Sequence, residues 1–314
     1  MQISRDEVVL SGLDGGNPLG FLASLGAFRV LSQLMPDAGL RLRWVSDGTW
    51  KPAVSRLSDL QPSDISTRLH SALAKANSRA EFNVGDDLTI PPSTFREFAC
   101  EAAKSAEPAG RTTADFVAAF GCDALHSATS EKPIIQDTAL RTMAGAGHQH
   151  FLGFMRNIVE ATTEDSLHKS LFEPWAYDDA VQNLTLRWDP LDDVRYALRW
   201  RDPSGDPLRR KRGNMLGANR LAIEGVPLLP TIPARGGLGT TGFRGRRSSD
   251  TFWTWPIWDS PATLDVVRSL LAIRTLQADN PDRVELRSRG VVEAFRSQRI
   301  TIGKVRNFTA AESV

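Results

Sequence analysis

Residues 17–34 constrain the fold most, because they predict a helix that is apolar on nearly every face. Pro18 suits the first helical position, where a missing N–H costs nothing, and Asn17 is a natural N-cap. A helix with apolar residues all round is buried. Small side chains line part of it and predict close approach by neighbouring backbones: Gly20, Ala23, Ser24, Gly26 and Ala27. The core is therefore expected to form around this helix.

The predicted helix lies between two predicted strands, residues 7–10 and 40–45. A glycine turn at residues 12–17 joins the first strand to the helix, a position where phosphate-binding loops occur. The turn matches neither GxxxxGK[ST] nor GxGxxG. A tight structural turn is the favoured interpretation, with nucleotide binding as the alternative.

The rest of the first region has helical spacing and the second has strand patterns. Helices are predicted at residues 63–76, 92–104, 112–120, 147–161 and 163–172. A short helix at 216–224 and a longer one at 261–278 are predicted later. Strands are predicted at 184–188, 195–200, 226–232, 238–243 and 251–255, with strands or a hairpin at 283–306.

These patterns predict an α+β fold: a strand–helix–strand start, a helical middle and a strand-rich, basic C-terminal half. We place a soft boundary between a mainly helical, acidic region at 1–173 and a strand-rich, basic region at 174–314. The alternative is one integrated domain.

The formal net charge of +1 conceals a strong asymmetry. Residues 1–198 hold 18 basic and 26 acidic side chains, whereas residues 199–314 hold 20 basic and 11 acidic ones. Arginine outnumbers lysine 31 to 7, and its planar guanidinium suits phosphates and bases. The asymmetry indicates a polyanionic partner, or docking of one half on the other.

Several classes of protein are disfavoured. No run approaches the roughly 18 apolar residues of a membrane helix, and the opening residues do not match a signal peptide. The two cysteines, Cys100 and Cys122, make no disulfide framework. We expect a cytoplasmic protein without a membrane partner.

The sequence contains no recognisable catalytic signature. His148 and His150 lie two residues apart, which on a helix would direct them away from each other. No metal site, cofactor, catalytic residue or small-molecule substrate is therefore predicted. His148, at a glycine-flanked helix start, is instead a candidate nucleic-acid contact, and a metal-dependent nuclease using His148 and His150 is the third functional alternative.

The clearest functional signal is a set of arginine-rich loops beside a tryptophan-rich strand. The basic candidates are Arg209, Arg210, Lys211, Arg212, Arg235, Arg244, Arg246 and Arg247. Basic loops bind phosphates, and aromatic rings such as Trp253 stack on bases. The alternatives are solvated or acid-paired loops, and a core position for Trp253, since alternation along the strand is typical of core aromatics.

Several segments form a set: residues 12–27, Trp44, Trp50, 147–151, 174–175 with Tyr177, 186–190, 196–200, 217–222, 240–243 and 254–258. This set resembles proteins encoded with type I-G (formerly I-U) CRISPR–Cas genes. Residues 17–31 also resemble the start of the large subunits of those systems. The resemblance implies an effector-complex or accessory subunit with guide RNA, target DNA or other Cas proteins as partners, and it supplies no catalytic residues.

The leading hypothesis is thus a non-enzymatic CRISPR-associated subunit that binds guide RNA or target DNA through its C-terminal basic loops. The second is a protein–protein adaptor, in which the basic half docks an acidic partner without touching nucleic acid.

Overall fold

A computed structural model shows an α+β fold and describes residues 6–57, 59–74, 79–106, 111–127, 132–143, 150–179, 184–192, 214–245, 250–302 and 305–314. Its helices are α1 (Pro18–Leu34), α2 (Pro62–Ala74), α3 (Pro92–Lys104), α4 (Arg111–Phe120), α5 (Phe151–Ala161), α6 (Glu164–Phe172), α7 (Leu216–Gly225), α8 (Leu264–Leu271) and α9 (Arg283–Ser288). None of these helices is long and apolar enough to cross a membrane.

The strands form antiparallel sheets. They are β1 (Glu7–Val9), β2 (Arg41–Asp47), β3 (Thr49–Ser55), β4 (Gly121–His126), β5 (Ile135–Asp137), β6 (Thr231–Ala234), β7 (Gly237–Thr240), β8 (Phe243–Arg244), β9 (Phe252–Trp258), β10 (Val291–Ile302), β11 (Val305–Phe308) and β12 (Glu312–Ser313). One sheet has the order β1–β3–β2 and another the order β11–β10–β9–β8, with β12 also on β10. The pairs β4–β5 and β6–β7 stand apart from both.

Helix α1 confirms the prediction made from its sequence, including its cap. The Asn17 side chain accepts hydrogen bonds from the backbone N–H groups of Leu19 at 2.8 Å and Gly20 at 3.1 Å. Every residue from Pro18 to Leu31 is buried. Near its start, Phe21 stacks on Trp44 of β2 and on Trp255 of β9, with ring centroids 5.5 Å apart in both pairs. The helix therefore joins the two larger sheets.

Replacing Asn17 with alanine is expected to lower the free energy of unfolding by about 1 kcal/mol, since it removes the acceptor for two backbone N–H groups. Chemical denaturation of both proteins measures this. Asn17→Ser keeps a side-chain oxygen acceptor and should recover most of the loss; an alanine variant as stable as the parent would contradict the capping role.

Helix α1 packs against α7 with no side chain between the two backbones at their closest point. A Cβ atom added to Gly26 would lie 1.7 Å from the Leu221 carbonyl O. One added to Gly225 would lie 2.4 Å from the Leu22 carbonyl O. The small residues of α1 thus allow the close contact that the sequence predicted.

A buried charge cluster extends this helix contact and centres on Glu224 of α7. Glu224 pairs with Arg29 of α1 at 3.3 Å, with Arg220 at 2.5 Å and with Arg79, whose Nε also donates to Glu81 at 2.5 Å. Burial alone would raise the pKa of Glu224, but Arg79, Arg220 and Arg29 outweigh it and hold that pKa well below its usual range. Glu224 is therefore ionised in the folded protein.

The sequence prediction missed several elements where tertiary contacts decide the structure. β3, β4 and β5 interrupt the region predicted as helical. Residues 184–188 are not a strand, because Asn219 Oδ1 accepts the N–H of Leu186 and Trp188 Nε1 donates to the Leu140 carbonyl O. The other strand predicted there, 195–200, lies outside the described residues.

Later differences have local causes. Residues 226–228 form a 3-10 turn rather than a strand, and a second 3-10 turn at Arg274–Gln277 follows a helix shorter than predicted. Residues 283–288 are helical, because Asp282 Oδ1 caps the N–H groups of Val284 and Glu285.

The regions 1–173 and 174–314 both contribute to one core cluster, and the α1–α7 contact crosses the boundary predicted between them.

Candidate nucleic-acid interface

Three of the predicted site residues lie in the part of the chain that the structure describes: Arg235, Arg244 and Trp253. The other predicted residues lie outside it: His148, Arg209, Arg210, Lys211, Arg212, Arg246 and Arg247. Arg235 is exposed beside the β6–β7 turn. The structure brings Arg244 and Trp253 together on adjacent strands, since Phe243 pairs with Trp253 in the β8–β9 register.

Trp253 belongs to the core. Its side chain is 0% exposed, and its ring lies 5.4 Å from that of Phe243 and 4.8 Å from that of Trp255. Its ring therefore presents no exposed face to a base. This placement agrees with the alternation that favoured a core position for the strand's aromatics.

Arg244 is held by neighbours on its own side of the sheet. Its guanidinium lies 4.9 Å from the ring centroid of Phe252 and pairs with Asp279. It also donates to the Gln277 carbonyl O at 3.4 Å. One face of the side chain is thus occupied, and the residue still lines a neighbouring cleft.

A cleft of about 530 Å³ opens beside Arg244, and we call it the arginine cleft. Its walls are residues 134–141, the β6–β7 hairpin with the turn into β8, and the β10–β11 hairpin. Its charged lining residues in the described chain are Asp137, Arg141, Arg244, Arg299 and Arg306. Cations outnumber the carboxylate there, so the arginine cleft is suited to an anion.

Arg141 neutralises Asp137, the acidic residue of the cleft, and links residues of the wall formed by 134–141. It pairs with Asp137 and, at 2.6 Å, with Asp87, and it donates to the Met143 carbonyl O at 2.7 Å. Burial alone would lower the pKa of Arg141, but Asp137 and Asp87 outweigh it and raise that pKa. The Asp137 carboxylate is thus already engaged by Arg141.

Arg299 and Arg306 lie on the paired strands β10 and β11, and both donate hydrogen bonds to the wall formed by residues 134–141. Arg299 Nη1 donates to the Ala139 carbonyl O at 2.7 Å, and Arg306 Nη1 donates to the Arg141 carbonyl O at 3.3 Å. Arg299 is 8% exposed, and its Nε has no hydrogen-bond partner. Burial and the nearby charge of Arg306 lower the pKa of Arg299 to about 10, so Arg299 remains cationic at neutral pH.

The glycine turn before α1 is structural. The N–H groups of Gly12 and Gly15 donate to the carbonyl oxygens of Leu171 at 2.8 Å and Trp50 at 2.7 Å. The Gly16 N–H donates to Asp14 Oδ1 at 2.9 Å, and the Asn17 side chain takes the next free N–H groups of the helix. These groups are therefore already used within the fold and are not available to a phosphate.

Within the described ranges, no group of three or more histidine, cysteine or acidic side chains is placed to hold a metal ion. His150 occupies the N-cap position of α5, and His148 lies outside those ranges.

The chain matches no protein-family model and no curated protein.

Sequence reasoning missed Arg141, Arg299 and Arg306, which form the cleft. Each is an isolated arginine in the sequence, whereas the prediction followed arginine runs. The available signal was the predicted hairpin at 283–306, because a hairpin brings cations on its two strands together.

Proposed function

We propose that this protein is a non-enzymatic subunit or accessory protein of a type I-G CRISPR–Cas system that binds guide RNA or target DNA in the cytoplasm. The arginine cleft contacts backbone phosphates. The observation that carries this proposal is the convergence of Arg299 and Arg306 on one cleft whose acid, Asp137, is engaged by Arg141.

The chemistry of the cleft supports phosphate as the ligand. Guanidinium groups bind phosphate oxygens through paired N–H donors, and such contacts position a nucleic acid without reading its sequence. Each guanidinium carries five N–H donors, and Arg299 Nε has no protein acceptor. An anion between the two arginines would also offset the repulsion that contributes to the lowered pKa of Arg299.

The defence context rests on the sequence resemblance. Its segments include residues 12–27, which form the glycine turn and the first half of α1, and residues 254–258 of β9. Partners of that context are the other Cas proteins of the effector complex. A type I-G operon around the coding sequence would support it, and an unrelated operon would count against it.

Replacing Arg306 with glutamate is expected to weaken binding of a labelled RNA or DNA oligonucleotide by at least about tenfold, because it removes a cationic phosphate contact and adds repulsion. The slope of log affinity against log salt concentration should also fall by about one unit. Fluorescence anisotropy at several salt concentrations measures both quantities.

Arg274→Glu is the matched control, since Arg274 is exposed, belongs to the same basic half and lies outside the cleft lining. Equal losses from both variants would show a general charge effect and contradict a role for the cleft. If the wild-type protein binds neither nucleic acid, yet retains a protein partner after nuclease treatment, the adaptor hypothesis replaces this proposal.

A further inference from the structure

The size of the arginine cleft restricts the form of nucleic acid that can enter it. Its volume of about 530 Å³ falls in the range of pockets that enclose small ligands, roughly 300–1,000 Å³. A duplex keeps its bases paired and stacked inside the helix, so only its backbone would reach the mouth of such a cleft. A nucleotide released from the stack presents its base as well as its phosphate.

The side chain of Phe243 provides an aromatic ring in the cleft on which such a base can stack. Phe243 lines the cleft and is only partly buried. Trp253 stacks behind it with an interplanar angle of 9°, and Phe308 meets it edge-on at 6.1 Å. These two neighbours fix the ring without enclosing it. Base stacking on a fixed aromatic side chain tolerates any sequence, because every base has a π-face.

The cations lie in the same cavity as this ring. Arg299 is held by its bond to Ala139, and its buried Nε has no hydrogen-bond partner. Gly239 also lines the cleft, and the absence of a side chain there keeps that part of the lining at the level of the main chain. The same cleft therefore offers cationic groups for a phosphate and an aromatic ring for a base.

We propose that the arginine cleft takes one unpaired nucleotide of a single-stranded RNA or DNA, with its base stacked on Phe243 and its phosphate on Arg299 and Arg306. This inference rests on the proposed function and specifies which form of nucleic acid the same site binds.

The first test needs only the wild-type protein. Anisotropy is measured with a short labelled thymidine oligonucleotide, its blunt duplex with the adenosine strand, and a strand of equal length carrying abasic sites. The single strand should bind about tenfold more tightly than either of the others, since stacking on one ring is worth roughly that factor. Duplex affinity equal to or above that of the single strand would overturn the inference.

The second test compares Phe243→Leu with Phe243→Tyr. Leucine removes the π-face and should lower affinity for the single strand about tenfold, while tyrosine keeps the face and the affinity. Thermal unfolding of both variants verifies the fold. If the leucine variant does not fold, the test is the affinity of the wild-type protein for the normal strand compared with the abasic strand. Equal affinities for the normal and abasic strands would overturn the inference.

The two proposals fail in different ways. If single strand and duplex bind alike and Arg306→Glu weakens both, the phosphate site stands and the single-nucleotide inference is wrong. If the wild-type protein binds none of the three oligonucleotides, the proposed function fails and the inference fails with it.

Discussion

Replacing Glu224 with glutamine should lower the free energy of unfolding by about 3–5 kcal/mol. Glu224 is 3% exposed and pairs with Arg29, Arg79 and Arg220, which are themselves buried. In the glutamine variant, Glu81 is the carboxylate that remains in the cluster to face these three guanidinium groups. Removing one partner of a buried ion pair is costly, because the remaining charge stays desolvated without compensation.

The pH dependence of this loss has a definite sign. The pKa of Glu224 is held below its ordinary value of 4.5 in the folded protein, so its ionised form stabilises folding. That stabilisation is fully present above pH 4.5 and is lost as the pH falls from there through the folded-state pKa. The stability difference between wild type and Glu224→Gln should therefore be constant near neutrality and shrink in acid.

Urea denaturation of both proteins across this pH range measures the effect. Asp265→Asn is a suitable control, because Asp265 pairs with Arg268 at the surface and such pairs contribute little. A Glu224→Gln protein as stable as the wild type at neutral pH would show that the cluster is not a stabilising centre.

Gly26→Ala is expected to have a comparably large effect, with a loss of about 3 kcal/mol or more. The new Cβ would lie 1.7 Å from the Leu221 carbonyl O, so α1 and α7 would have to separate. Overfilling a packed core typically costs 1–3 kcal/mol, and here both atoms belong to helical backbone that has little freedom to move. Thermal or chemical denaturation measures the loss.

Gly153→Ala is the matched control, since it makes the same change inside α5. There the added Cβ meets nothing closer than the His150 Cβ at 3.4 Å, and alanine favours a helix by about 0.5–1 kcal/mol. It should be neutral or stabilising. If Gly26→Ala behaved like Gly153→Ala, the close contact between the two helices would be disproved.

The sequence predicts the fold best where local chemistry decides. The α1 helix and its Asn17 cap follow from residues close together in the chain, and the structure confirms them. β3 is missed although β2 directly precedes it and pairs with it across Gly48; its other partner, β1, lies about forty residues earlier in the chain. Residues 184–188 have a strand-like pattern but are held by Asn219 and Leu140 instead.

The candidate site shows the same limit. An arginine run is visible in the sequence, whereas the meeting of Arg141, Arg299 and Arg306 depends on how a hairpin packs on a distant segment. We predicted that Trp253 stacks on a base, but the ring that lines the cleft belongs to Phe243, which stacks on Trp253. How deeply each of two neighbouring aromatic side chains is buried depends on the sheet and on what packs against it. The alternation of residues along one strand does not carry that information.

The contact between α1 and α7 also dictates an order of events during synthesis. Gly26 emerges from the ribosome long before Leu221, which at ordinary translation rates means a wait on the order of ten seconds or more. During that time this largely apolar helix has no α7 to cover it. The contacts available earlier are those with β2, where Trp44 stacks on Phe21, and with α2, so these cover α1 until the second region arrives.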